Sequence, residues 1–279
     1  MRLTDAAWAV RPYGEVVDVA ARDGSLLAVP VGSLEQHGYH LPTATDTLLA
    51  DAVTHGAATA TEAPVLVTPP VWTGRSSHHL PFGGTVSLER ADLTALLEGL
   101  ADTALENEFD ALLFVNGHGG NAATVDSVVA SVGAARPDVE VSGLSYSALA
   151  ADVVDEVRDS ETGGTGHGGE FETSLMLHLY PSLVDEARAD GTTMDERYDR
   201  ARQDLFVGGP LAVYRPFPEY TTSGAIGDPA LATAEKGRQL FDHLCAALAG
   251  LFETVHDHNR GVDGGDEDDD EDGNENEEA

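Results

Sequence analysis

The run Leu26-Leu27-Ala28-Val29-Pro30-Val31 passes directly into Gly32-Ser33-Leu34-Glu35-Gln36-His37-Gly38-Tyr39-His40-Leu41-Pro42-Thr43-Ala44-Thr45-Asp46. Six consecutive apolar residues predict a strand covered on both faces, and a segment rich in carboxylates and imidazoles then leaves its carboxyl end. The pattern recurs. Val65 to Val71 leads into Thr73-Gly74-Arg75-Ser76-Ser77-His78-His79, and Ala111 to Val115 into Asn116-Gly117-His118-Gly119-Gly120-Asn121. A fourth apolar run covers Val139 to Leu144. Stretches of helical period lie between and after these runs: Asp46 to Thr61, Ser87 to Glu108 with Ser87 placed as N-cap, Asn121 to Ala135, Glu170 to Leu179 and Pro229 to Asp257. Strands alternating with helices predict an α/β fold, a mostly parallel core sheet with helices on both faces. In open parallel sheets ligands gather beyond the carboxyl ends of the strands, where the polar clusters after the first three runs fall.

The charge balance narrows the function. Among 279 residues, 15 Lys and Arg face 49 Asp and Glu, a formal net charge of −34. Nucleic acid is thereby excluded as the main partner, because phosphate binding needs a positive face. The only lysine is Lys236. Eleven acidic and no basic residues lie between Asp263 and Ala279, which predicts a single domain over 1–262 followed by a self-repelling, disordered tail over 263–279. Even without that tail the body stays strongly acidic. Such a surface is tolerated where salt screens charge over a few ångströms, so a cytosol of high ionic strength, such as that of a halophilic archaeon, is the expected setting. One cysteine, Cys245, rules out an intrachain disulfide, and no apolar run reaches the ~18 residues of a membrane helix. A cytoplasmic protein without membrane contact is the expectation.

Glu35 and His37 are two apart just beyond a strand, so both can point to one side, with Asp46 close behind. Carboxylate and imidazole donors of this kind suit zinc, manganese or iron. His118, set between glycines, and Glu170, in the cluster His167-Gly168-Gly169-Glu170-Phe171-Glu172, add two more. Five ligands with one carboxylate free to bridge suit two divalent ions about 3.5–4 Å apart.

These blocks resemble the signature of the creatininase family of metal-dependent amidohydrolases. The segment from Gly32 to Asp46 carries the resemblance, together with Asn116 to Asn121, His167 to Ser174, Gly227-Asp228-Pro229 and Ala232 to Gly237, so it runs from about Ala28 to Gly237. It implies a three-layer α/β/α fold, two divalent metal ions per chain (Zn, Mn or Fe) and a homohexamer. Carried over by position, Glu35, Asp46 and His118 would hold one metal, and His37, Asp46 and Glu170 the other. One departure bears on the fifth ligand: creatininase has a metal-binding glutamate two residues after the Asn-Gly-His histidine, where this chain has Gly120. Relatives with Asn-Gly-His-Gly-Gly-Asn take that ligand from the later block, which selects Glu170 over Glu172.

The resemblance also implies amide hydrolysis by a metal-activated water, with His167 as general acid/base and His79 as a second catalytic or substrate-binding imidazole. Asn116, Asn121 and Glu172 would orient the ligands, His40 and His78 would lie around them, and substrate would meet Arg75, Asn121 in an alternative role, and more remotely Arg215. Creatininase stacks its substrate on tryptophans from the region before the catalytic histidine, yet Ser142 to Gly166 contains none, so creatinine or another cyclic amide is the lesser alternative. Archaeal relatives include a deformylase of a formylaminopyrimidine ribonucleotide on the route to riboflavin and deazaflavin coenzymes, which makes a formamide the favoured small-molecule substrate. A non-catalytic metal-binding scaffold is the alternative from another class.

Overall fold

The structure, a computed structural model, describes residues 2–193 and 198–261; the acidic segment 263–279 lies outside the described residues. Four strands, β1 Leu26–Val31, β2 Val65–Val67, β3 Ala111–Asn116 and β4 Glu140–Ser145, form a wholly parallel sheet in the order β2-β1-β3-β4. The helices are α1 Tyr13–Ala20, α2 Thr45–Thr59, α3 Arg90–Leu105, α4 Ala122–Ala135, α5 Val154–Val157, α6 Glu170–Leu179 and α7 Ala234–Asn259.

Every residue of β1 and β3 is buried, because alternate side chains enter two separate cores. Leu26, Ala28, Leu113 and Val115 pack with α2, α6 and α7, whereas Leu27, Val29, Leu112 and Phe114 pack with α1, α3 and α4. The expected α/β layering is present, and among the described residues no helix is long and apolar enough to cross a membrane.

Three boundaries differ from expectation. β2 ends at Val67 because Pro69 and Pro70 lack ladder donors, leaving Val71 a single bridge to Val31. Helix α3 begins at Arg90 rather than at Ser87, whose hydroxyl instead accepts from the Ser76 amide and closes the loop carrying His78 and His79. Helix α7 starts at Ala234 after a separate 3-10 turn at Pro229–Leu231, with Thr233 capping the Lys236 amide.

The strand order places the site. From β1 the chain moves outward to β2, then crosses back to β3 on the other side of β1. That reversal opens a crevice beyond the carboxyl ends of β1 and β3, the position at which open α/β sheets bind ligands.

Candidate metal centre

Glu35 and His37 leave the end of β1, Asp46 lies in the first turn of α2, and His118 follows β3. All four are buried, and the helix dipole favours the Asp46 carboxylate where it stands. His118 Nδ1 lies 3.1 Å from both Glu35 Oε1 and Asp46 Oδ2. On its far side His118 Nε2 donates to the Arg75 carbonyl at 3.1 Å, which leaves Nδ1 as the nitrogen that a cation would take in place of a proton. His37 is arranged alike: Nδ1 faces the Glu35 carbonyl at 3.1 Å, and Nε2 faces Asp46 Oδ1 at 3.0 Å and Glu172 Oε1 at 3.9 Å. An imidazole that donates one N–H to a backbone carbonyl and turns the other nitrogen to carboxylates has the orientation of a metal ligand.

The carboxylates supply the test of fit. Glu35 Oε1 and Asp46 Oδ2 are buried and accept no hydrogen bond. Two ligands each about 2.1 Å from one ion sit about 3.0–3.4 Å apart, which is the spacing found here. The ionisation follows the same pattern. Burial raises the Glu35 carboxyl, but His118 and His79 outweigh it and hold it at about 2. Burial lowers His37, yet Asp46 lifts it to about 10, as Glu35 and Asp46 lift His118. Metal-free, the cluster therefore keeps protons on its imidazoles to balance its carboxylates, a role that cations can take over.

Glu170 and Glu172 exchange the places assigned to them. Two residues apart on a helix, they face opposite sides of α6. Glu172 looks toward His37, with Oε2 accepting from the Gly168 amide at 2.6 Å, a contact made possible by the positive φ of 58° at Gly168. Burial and then Asp46 push its carboxyl up to about 7, although His37 opposes them. Glu170 instead accepts from the Asp159 and Ser160 amides, each at 2.9 Å, and from Lys236 Nζ. The carboxylate that reaches the cluster is thus Glu172, and the expectation for Glu170 is corrected.

His79 Nε2 and His167 Nδ1 stand 3.2 and 3.7 Å from Glu35 Oε1. Burial lowers both imidazoles, as do the neighbouring His167 for His79 and His37 for His167, so both are neutral near pH 7. Asn116 brackets His118, donating to its carbonyl at 2.8 Å and accepting from its amide at 3.1 Å. Asn121 is buried. Its side chain accepts from the Arg75 amide and donates to the Gly32 carbonyl, so it ties together the loops that carry the site. His40 joins the β1 loop to α6 through Thr173 at 2.9 Å, and His78 stacks on His118 with a centroid distance of 5.8 Å. Burial lowers the His78 imidazole, with His118 and the Arg75 guanidinium adding to it, and among the described residues that guanidinium makes no hydrogen bond or ion pair. Arg215 lies over the Tyr220 ring.

Sequence reading missed two neighbours. Gln36, inside the opening motif, contacts both His79 and His167. Phe217, from a 3-10 turn in the irregular stretch after α6, packs 4.2 Å from His79 and 5.3 Å from His167 between ring centroids, and no periodicity marks it.

Fold and site together define an α/β protein whose sheet carries, beyond the carboxyl ends of β1 and β3, a carboxylate–imidazole cluster suited to divalent cations. Residues 13–252 match the creatininase family, described as creatinine amidohydrolase. A mycofactocin precursor peptide peptidase of Mycolicibacterium smegmatis is 36% identical over 231 residues, covering 80% of this chain and 83% of that protein. The creatinine amidohydrolase of Pseudomonas putida is 30% identical over 255 residues, covering 83% and 89%. A solved structure described as "Creatininase Mn" superposes with a TM-score of 0.78 at 26% identity, covering 90% of this chain and 98% of that one. The chain belongs to the creatininase family and is an amidohydrolase of that family.

Proposed function

We propose that the protein hydrolyses the carbon–nitrogen bond of an amide in a small substrate bearing an anionic group, at a centre of two divalent cations. Glu35, Asp46 and His118 would hold one cation and His37, Asp46 and Glu172 the other, Asp46 bridging. The observation that carries this reading is the pair of buried carboxylate oxygens, Glu35 Oε1 and Asp46 Oδ2, which accept no hydrogen bond and each lie 3.1 Å from His118 Nδ1. Zinc, manganese and iron all suit such donors. When bound, the cations polarise the amide carbonyl and lower the pKa of water at the site. The chain itself does the rest. Neutral His167 takes a proton from the attacking water at Nδ1 and returns one to the departing nitrogen, while burial of the cluster excludes bulk water.

Arg75 supports an anionic substrate, since it lies in the loop after β2 beside His78 and its guanidinium makes no ion pair among the described residues. The formyl group is the smallest acyl group that an enclosed centre can take, which favours a formamide such as a formylaminopyrimidine ribonucleotide with its phosphate at Arg75. The relatives named as mycofactocin precursor peptide peptidases favour a second reading, a peptide amide. Metal-loaded protein offered both classes separates them: formate release selects the first, and peptide cleavage the second. Arg75→Ala should raise KM for either by about tenfold, and turnover of neither class would remove the anionic-amide reading. Assembly as a homohexamer belongs to the same proposal and is checked by light scattering.

A further inference from the structure

We infer that Gln36 is a positioning residue that fixes the tautomers of both His79 and His167, assigning them different tasks; this rests on the hydrolytic reading above. The orientation of the Gln36 carboxamide is dictated by two backbone groups. Its Oε1 accepts from the Gly38 amide at 2.9 Å, a group that can only donate. Its Nε2 donates to the Gly224 carbonyl at 3.0 Å, a group that can only accept. The second hydrogen on Nε2 then points to His79 Nδ1 at 2.8 Å. His79 Nδ1 must therefore be the acceptor, and its proton sits on Nε2, which lies 3.2 Å from Glu35 Oε1 without forming a hydrogen bond to it.

The backbone of the same residue sets the other ring. His167 Nε2 lies 2.7 Å from the Gln36 carbonyl, which can only accept, so the His167 proton is on Nε2 and the Nδ1 lone pair faces the carboxylates. The 3.3 Å approach of Gln36 Nε2 to His167 Nε2 is a packing contact, because both amide hydrogens are already used. Two rings whose centroids are 4.4 Å apart thus present opposite groups to the centre, an N–H from His79 and a lone pair from His167. A proton acceptor beside a hydrogen-bond donor is what hydrolysis of an amide needs: His167 to take the proton of water and pass it to the leaving nitrogen, and the His79 N–H to donate a hydrogen bond to the carbonyl oxygen.

Gly224 is shaped to this arrangement. Its φ is 95°, and a Cβ there would overlap Gln36 Oε1, so the carboxamide occupies the space of the missing side chain.

The test is magic-angle-spinning 15N NMR on zinc-loaded full-length protein labelled at histidine, with signals assigned by their loss in His79→Gln and His167→Gln. Both rings should show a pyrrole-type Nε2 and a pyridine-type Nδ1. In Gln36→Glu, the isosteric carboxylate cannot donate to His79, whose proton should move to Nδ1. The kcat should then fall about 100-fold or more while KM stays within about threefold and metal content is unchanged. A pyrrole-type Nδ1 on either ring of the wild type, or a Gln36→Glu protein with wild-type spectrum and kcat, would overturn the inference. Loss of the hydrolytic reading is recognised separately, as absence of bound metal and of amide turnover, because the tautomers are read from the spectrum alone.

Discussion

Lys236→Met isolates the ion pair that keeps Glu170 away from the cluster. Glu170 is buried, with a side chain 2% exposed, while that of Lys236 is 13% exposed; the lysine also reaches Asp159 at 2.7 Å and the Leu231 carbonyl at 2.8 Å. The contact joins the start of α6 to the start of α7. Removing one partner of a buried pair leaves a charge held by backbone amides alone, at a cost of about 3–5 kcal/mol. The slight exposure of Lys236 argues for the lower end, about 3 kcal/mol. For a chain of this size that corresponds to a fall in Tm of about 6–12 °C. The pH window follows from the two shifts. Burial raises the Glu170 carboxyl, but the Asp159 amide and Lys236 outweigh it, so its contribution is present above about pH 4.3 and is lost as pH falls through the lowered value. Burial lowers Lys236, but Asp159 and Glu170 raise it on balance, so its contribution is present below about pH 10.4 and is lost as pH rises through the raised value. Calorimetry of wild type and variant should therefore show the full gap between these limits and convergence in acid, with metal content unchanged. A Tm within 2 °C of wild type at neutral pH, or loss of metal from the variant, would refute the reasoning.

Three further outcomes are expected. His167→Ala should lower kcat by about 100-fold or more with metal retained, as measured by steady-state kinetics and elemental analysis. Phe217→Ala, which removes a ring packed on His78, His79 and His167, should raise KM by about tenfold, and an unchanged KM would show that the ring does not meet substrate. With a formal charge of −34, the protein should melt at higher temperature in molar KCl than in dilute buffer; a flat dependence on salt would contradict an adaptation to high ionic strength.

Much of this arrangement could be read before folding. The continuous apolar runs of β1 and β3, with polar clusters immediately after them, located Glu35, His37 and His118, since a parallel strand buried on both faces leaves its loop little choice of edge. The choice between Glu170 and Glu172 was not legible in the same way. Both stand in the first turn of α6, and which one meets His37 depends on the rotation of that helix, set by Phe171, Leu175 and Met176 entering the core against α7. The two loops that Asn121 joins could not be named from sequence, because a buried carboxamide beside a site looks the same there whatever backbone groups it meets. Gln36 and Phe217 carry no charge and no period; only their contacts give them meaning.

The central claim is that two cations fit among Glu35, His37, Asp46, His118 and Glu172. Elemental analysis of protein purified in molar KCl, alongside Glu172→Gln and Glu170→Gln, tests it most directly. The account predicts two equivalents per chain in the wild type and in Glu170→Gln, and loss of about one in Glu172→Gln. Retention of both by Glu172→Gln with loss from Glu170→Gln, or no bound metal in the wild type, would contradict it.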